Sequence, residues 1–265
     1  MRPTIAAAAA LALALAAAMP ARAHAQTTTA RELLPFDEPV KRNFSASAAR
    51  ASDVLVTSAV LMPFALELGR GFGPDERTDT LMLGESLALS VAVNTATKHL
   101  VRRARPYTHN ADPRVEAYAR REGGDARLSF YSGHASTAFA AAVAGGSLFA
   151  HASNDTAART AVWGTGLALA GATSALRVRA GKHFTSDVVV GALVGAAIGW
   201  AVPAVQGHGV AVPALSAPEW IAIGAAPLAG ALAASLVPMP SDITEPLVVP
   251  WVSGSGGGLT LVRRF

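Results

Sequence analysis

At 265 residues the chain suits one domain, or one domain with a short appendage. Hydrophobic residues make up 51% and charged residues 15%, against about 25% charged in average soluble domains, so the composition is too apolar for an ordinary cytosolic enzyme. With no cysteine, disulfides, thiolate metal sites and a cysteine nucleophile are excluded, and a formal net charge of +4 does not by itself call for a nucleic-acid partner.

In chain order, residues 1–25 read as a secretory leader: Arg2, a run of Ala and Leu from Ala6 to Met19, and a small-x-small end at Ala23-His24-Ala25. An uncleaved membrane anchor is the alternative, although the run is short for a span of about 20 residues. Cleavage before Gln26 removes Arg2 and Arg22, which leaves 20 Lys+Arg against 18 Asp+Glu, a net charge of +2. The rest of the chain is then exported, either to an inner membrane with its site facing the periplasm or to the periplasm itself. Residues 26–50 are polar and mixed in charge, including Phe36-Asp37-Glu38-Pro39, and read as a loop and a surface helix without recognisable chemistry.

A helical domain is expected over 51–240, followed by a tail at 241–265. Six helices are predicted, at Asp53 to Leu68, Thr78 to Val101, Gly133 to Ala150, Thr156 to Leu176, Ser186 to Val205 and Glu219 to Leu236. Stops fall at Gly69-Arg70-Gly71, at Ser153-Asn154-Asp155 and in the Pro- and Gly-bearing stretch after Pro203. In the tail, Leu247 to Ser253 and Leu259 to Arg264 flank a glycine-rich run that forms either a short β-hairpin or a flexible end. The expected fold is therefore all-α, a bundle of about six core helices. Uncharged stretches of bilayer length between Arg159 and Arg177, Asp187 and His208, and Glu219 and Asp242 favour a membrane-embedded bundle over a soluble one. Six spans starting from an external N-terminus place Lys98 to Ser132 and Leu176 to Asp187 on the same outer side. The cations of those loops run against the positive-inside tendency, which a phosphate-binding role would explain.

Three separated polar segments interrupt this apolar chain. The first, Lys98 to Pro106, ends the second helix; Lys98 and Arg105 are seven residues apart, which puts both on one helical face, and Pro106 stops continuation. The second, Phe130-Tyr131-Ser132-Gly133-His134, precedes an Ala-rich helix, where Gly133 admits a ligand close to the backbone and the first amides point at an anion. The third runs from Arg177 to Asp187 and crowds Arg177, Arg179 and Lys182 around His183. On a helix opening near His183, Asp187 lies one turn further on the same face, within reach of one ring nitrogen. The other nitrogen then presents a lone pair that can attack phosphorus while guanidinium groups hold the phosphate oxygens.

The first two segments are weak alone, since a basic helix end and a Ser-Gly-His cap are common; the third already points to phosphate chemistry. Together, Lys98 with Arg105-Pro106, Ser132-Gly133-His134, and Arg177 with His183 and Asp187 resemble the three ordered motifs of the type 2 phosphatidic acid phosphatase superfamily. That superfamily also includes bacterial non-specific acid phosphatases and vanadium haloperoxidases. Two positions depart from its pattern: Tyr131 stands where the family usually has Pro, and Leu176 where it usually has Ser. The resemblance implies that His183 is the nucleophile, steadied by Asp187. It implies that His134 protonates the leaving group and then activates water. Lys98, Arg105 and Arg177, with Ser132 and the Gly133 amide, would hold the phosphate. This scheme needs no metal and no cofactor.

The remaining polar residues read more plainly. His99, His109, His151 and His208 have no spaced carboxylate partner and read as surface or loop histidines. Arg102 and Arg103 read as cations solvating a helix end, or as contacts to a lipid headgroup. The segment holding Arg114, Arg120, Arg121 and Arg127 among Asp112, Glu116, Glu122 and Asp125 reads as a mixed-charge loop over the site. The function expected is a metal-independent phosphatase acting through a phosphohistidine on a phosphorylated lipid or a small phosphate ester, at a membrane and without nucleic acid. The alternatives are a vanadium-dependent haloperoxidase and a non-catalytic membrane scaffold.

Overall fold

The computed structural model describes residues 34–208 and 214–239, and the backbone of 247–253 and 256–262. The leader expected over 1–25 lies outside the described residues. Among the described residues seven α-helices follow one another: α1 (Ala46–Arg70), α2 (Pro74–Val101), α3 (Pro113–Glu122), α4 (Gly133–Ala152), α5 (Thr156–Arg179), α6 (Thr185–Pro203) and α7 (Ala217–Leu236). The fold is all-α. Leu247–Ser253 and Gly256–Val262 run antiparallel to each other in the tail, and the hairpin expected there is not part of the helical architecture.

Local chemistry sets where the helices begin. Ser45 caps α1 by accepting from the Ala48 amide, and Pro74 opens α2, so both helices start several residues before their apolar pattern does. The short helix α3 replaces the expected mixed-charge loop. Asp112 accepts from the Arg114 amide at its start, Pro113 takes the first position, and Arg120 and Arg121 close its last turn. Val115 and Tyr118, three residues apart, are its buried face and pack with Tyr107 and Ala126.

The long helices pack around α4, which touches α1, α2, α5 and α6, while α5 also touches α1 and α7. Glycines allow the closest of these approaches. A Cβ on Gly191, Gly195 or Gly199 of α6 would lie 2.5, 2.1 and 2.5 Å from the carbonyl oxygens of Ser132, Ser136 and Ala140 on the α4 side. Any side chain there forces the two helices apart, so this stripe fixes their separation. The same spacing places the Ser132 amide 3.0 Å from the Asp187 carbonyl oxygen, which joins the start of α4 to the start of α6. Buried polar contacts tie α2 to α4: the Ser90 and Ser136 hydroxyls meet at 2.7 Å, and Asn94 Nδ2 donates to the Tyr131 carbonyl at 2.8 Å. A left-out hydrogen bond costs most in such a dry interior, so these pairs also fix the helix register.

Among the described residues four helices are long and apolar enough to cross a membrane: α1, α4, α7 and the Thr185–Gln206 segment that continues α6. This differs from the sequence expectation, in which α5 supplied one of the cleanest spans and the first helix did not. Thr156, Thr160, Thr165, Thr173 and Ser174 lower the hydropathy of α5. Arg159, near its start, is buried against Glu219 of α7 at 2.7 Å.

Candidate active site

The polar segments meet at one end of the bundle, where α1, α4 and α6 begin and α2 and α5 end. After α5 the chain turns back through Gly181, whose φ of +69° is left-handed and whose Cβ position lies 1.8 Å from the Asn43 carbonyl oxygen. No residue with a side chain fits there. Two residues later His183 is almost wholly enclosed, with 1% of its surface exposed.

The bond expected between His183 and Asp187 is not made. Helix α6 opens at Thr185 rather than near His183, so the two residues do not share a helical face. His183 Nδ1 lies 3.9 Å from the Asp187 carboxylate and 2.7 Å from the Ser129 carbonyl oxygen. The backbone carbonyl is thus the hydrogen-bond acceptor for Nδ1–H, and in the neutral ring it leaves the lone pair on Nε2. Asp187 receives three other donors: the Ser129 hydroxyl at 2.5 Å, Arg103 Nη1 at 2.6 Å and the Phe184 amide at 2.9 Å. Asp187 and the imidazole thus share Ser129, one through its hydroxyl and the other through its carbonyl.

Arg103 was expected to solvate a helix end or touch lipid. Instead its guanidinium lies 4.1 Å above the Phe184 ring and bridges Asp187 to Asp37, donating to Asp37 Oδ2 at 2.9 Å. Asp37 is fully buried, and it also accepts from the Ser186 amide at 2.9 Å and hydroxyl at 2.6 Å. The segment that had seemed to lack chemistry therefore anchors the first turn of α6.

Beside this buried unit is an open pocket of about 320 Å³ lined by Arg105, Arg177, Lys182, His134, Asp53 and Asp125, among others. Each cation reaches it from a different element. Arg105, just after α2, is held by Asp125 through a carboxylate contact of 2.7 Å and a carbonyl contact of 2.9 Å. Arg177, in the last turn of α5, donates through Nη1 to Ser52 at 3.2 Å, and its buried Nε has no partner. Lys182 contacts the Tyr118 hydroxyl and lies 3.0 Å from Glu122, both on α3. Arg179, expected in this group, turns away and donates to the Ala234 and Val237 carbonyls at the end of α7. A buried guanidinium nitrogen without an acceptor is costly, and an anion supplies what it lacks.

The remaining expected residues gather at the start of α4. The Ser132 hydroxyl caps the helix by accepting from the Ala135 amide at 3.3 Å, and is fully buried. A Cβ on Gly133 would lie 2.7 Å from Asn94 Oδ1 and 3.7 Å from Lys98 Nζ, so the bare backbone lets α2 bring its ammonium against this turn. His134 Nε2 hydrogen-bonds Asp53 Oδ1 at 2.7 Å. Neither that carboxylate nor Asp37 or Ser129 was singled out from sequence as a site residue.

Burial holds the His183 imidazole well below its ordinary pKa, and Arg105 and Arg177 repel its proton further, against the pull of Asp187. The shift favours the neutral ring. Burial, helped by repulsion from Arg105, lowers Lys98 to about 8. Burial and the same arginine lower Lys182, while Glu122 opposes them. Among the described residues, no group of three or more His, Asp or Glu side chains is placed to hold a metal ion.

No curated protein and no solved structure matches the chain significantly. The family model for the PAP2 superfamily matches residues 79–208, a stretch that holds Lys98, Arg105, Ser132, Gly133, His134, Arg177, His183 and Asp187 and leaves Asp37 and Asp53 outside. Over that stretch the chain is similar to the PAP2 superfamily, the type 2 phosphatidic acid phosphatases and their relatives.

Proposed function

We propose that the protein is a phosphomonoesterase that transfers the phosphoryl group of a lipid phosphate to His183 and then to water. The observation that carries this reading is the 2.7 Å contact of His183 Nδ1 with the Ser129 carbonyl, which reserves Nε2 for attack beside Arg105 and Arg177. In the first step Nε2 forms a bond to phosphorus as the ester P–O bond breaks, and His134 gives a proton to the leaving alkoxide. In the second, His134 takes a proton from water, whose oxygen displaces the imidazole and releases inorganic phosphate. Arg105, Arg177 and Lys98 hold the non-bridging oxygens, with the Gly133 amide at the helix start capped by Ser132.

A lipid substrate is supported by a second, apolar groove of about 790 Å³ between α1, α5 and α7, lined by residues including Leu55, Leu169, Leu176, Ala234 and Met239. Groove and pocket are lined by consecutive residues of the same helices: Leu176 and Val54 line the groove, and their chain neighbours Arg177 and Asp53 line the pocket. Leu176, where the family usually has Ser, therefore adds apolar wall next to a phosphate-binding arginine. With an exported chain, the site faces the periplasm.

The test is to trap acid-labile phosphate on the protein during turnover of a panel of lipid and soluble esters, in detergent. Label on the wild type and none on His183→Ala is the expected result. Undiminished turnover by His183→Ala refutes the nucleophile, and equal rates for short and long alkyl phosphates refute the lipid assignment.

A further inference from the structure

Asp53 lies on α1, outside the stretch that matches the family, yet its carboxylate reaches both partners that a phosphate ester needs. Oδ1 takes the 2.7 Å hydrogen bond from His134 Nε2 and stands 3.3 Å from Arg177 Nη1. One oxygen atom is thus shared between the imidazole assigned as acid and a guanidinium assigned to the phosphate. In a bound ester the bridging oxygen must come within hydrogen-bond reach of His134, and a neighbouring oxygen on the same phosphorus must reach Arg177. Asp53 Oδ1 occupies that place.

Other features fit an exchangeable group rather than a fixed strut. The Asp53 side chain is 59% exposed, so it has room to swing aside. The buried Nε of Arg177 stays without a partner while Asp53 engages Nη1, and a phosphate with several oxygens serves donors that one carboxylate oxygen leaves unpaired. Two other cations of the pocket, Arg105 and Lys182, are paired to Asp125 and Glu122 instead. Arg50 also lines the pocket one turn of α1 away.

We propose that Asp53 is the resident anion of this site: it positions His134 and Arg177 in the free enzyme and is exchanged for the phosphoryl group when substrate binds. The inference rests on the phosphatase reading. A ligand that must wait for a competent state binds more weakly by the fraction of molecules in that state, so a carboxylate seated in nine molecules of ten weakens anion binding about tenfold.

The test measures the affinity of the full chain in detergent for inorganic phosphate and orthovanadate, directly and as competitive inhibitors. Asp53→Asn and Asp53→Ser should each bind both anions about tenfold more tightly than the wild type, with KM for the ester falling alongside. Asp53→Glu, which keeps the charge, should stay near the wild type. Unchanged or weaker affinity in both neutral variants overturns the proposal, because a merely structural carboxylate loosens His134 and Arg177 when removed. If the wild type forms the phosphohistidine and the neutral variants gain nothing, this inference alone fails. If the wild type binds neither anion, the phosphatase reading fails and takes this inference with it.

Discussion

His183 and His134 are both held by a hydrogen bond, but to partners of different kinds. His183 is enclosed and bonded to a backbone carbonyl, which cannot move unless the loop before α4 moves. His134 keeps 31% of its side chain exposed and is bonded to a carboxylate that is itself 59% exposed. A nucleophile must approach phosphorus from one direction with one tautomer, and a rigid acceptor supplies both. An acid that later serves as a base has to exchange partners between steps, and a mobile acceptor permits that.

The largest test of this contrast replaces each ring in turn. His183→Ala should lower kcat by four orders of magnitude or more, the scale of losing a covalent nucleophile, for every ester alike. His134→Ala should cost about 10²- to 10⁴-fold with an alkyl ester and much less with an aryl phosphate such as p-nitrophenyl phosphate, whose leaving group needs no proton. Equal losses on both ester types would remove His134 from the acid role. The pH profile adds a check on sign. Because His183 sits well below its ordinary pKa, protonation silences it only at low pH, and the limb of kcat/KM that it sets should fall well under 6.5.

The residues of this contrast that could be read from sequence are those with a fixed spacing. Lys98 with Arg105, Ser132-Gly133-His134, and Arg177 with His183 and Asp187 stand out as polar islands in a chain that is otherwise apolar. Their partners do not stand out. Asp37 meets Ser186 across 149 residues, Asp53 meets His134 across 81, and Ser129 acts on His183 through a backbone oxygen that every residue carries. A carboxylate in a mixed-charge segment looks the same whether it is solvated or buried until the tertiary approach is known. The expected His183–Asp187 bond required His183 to lie within the helix, whereas α6 opens at Thr185, one residue before the predicted Ser186, and leaves His183 ahead of its Phe184 cap. Helix α3 had its start signals, Asp112-Pro113, but only Val115 and Tyr118 to mark an apolar face.

A smaller effect separates the two supports by stability instead of rate. Arg103 joins two fully buried carboxylates, Asp37 and Asp187, so Arg103→Met leaves both without their cation and should cost about 3 kcal/mol or more. Asp53 is largely exposed, and Asp53→Asn should change stability by less than about 1 kcal/mol. Denaturation of both variants in the same detergent compares them directly. A similar cost for both would mean that the His134 side of the site is as rigidly built as the His183 side.

The smallest effect concerns Lys98, which lies against the helix start that carries His134. Its pKa, lowered to about 8, makes it a cation below that pH and a neutral amine above it. Binding of inorganic phosphate restores the charge, so above about pH 8 affinity should weaken by up to about tenfold for each further pH unit. The effect belongs to the free enzyme and should appear in kcat/KM and in the inhibition constant, while kcat, set by the complex, stays flatter. Lys98→Arg remains charged throughout this range and should remove the alkaline limb, at some loss of affinity from its different shape. An identical alkaline limb in the arginine variant would assign that titration to another group, with Lys182, which burial also lowers, as the next to test.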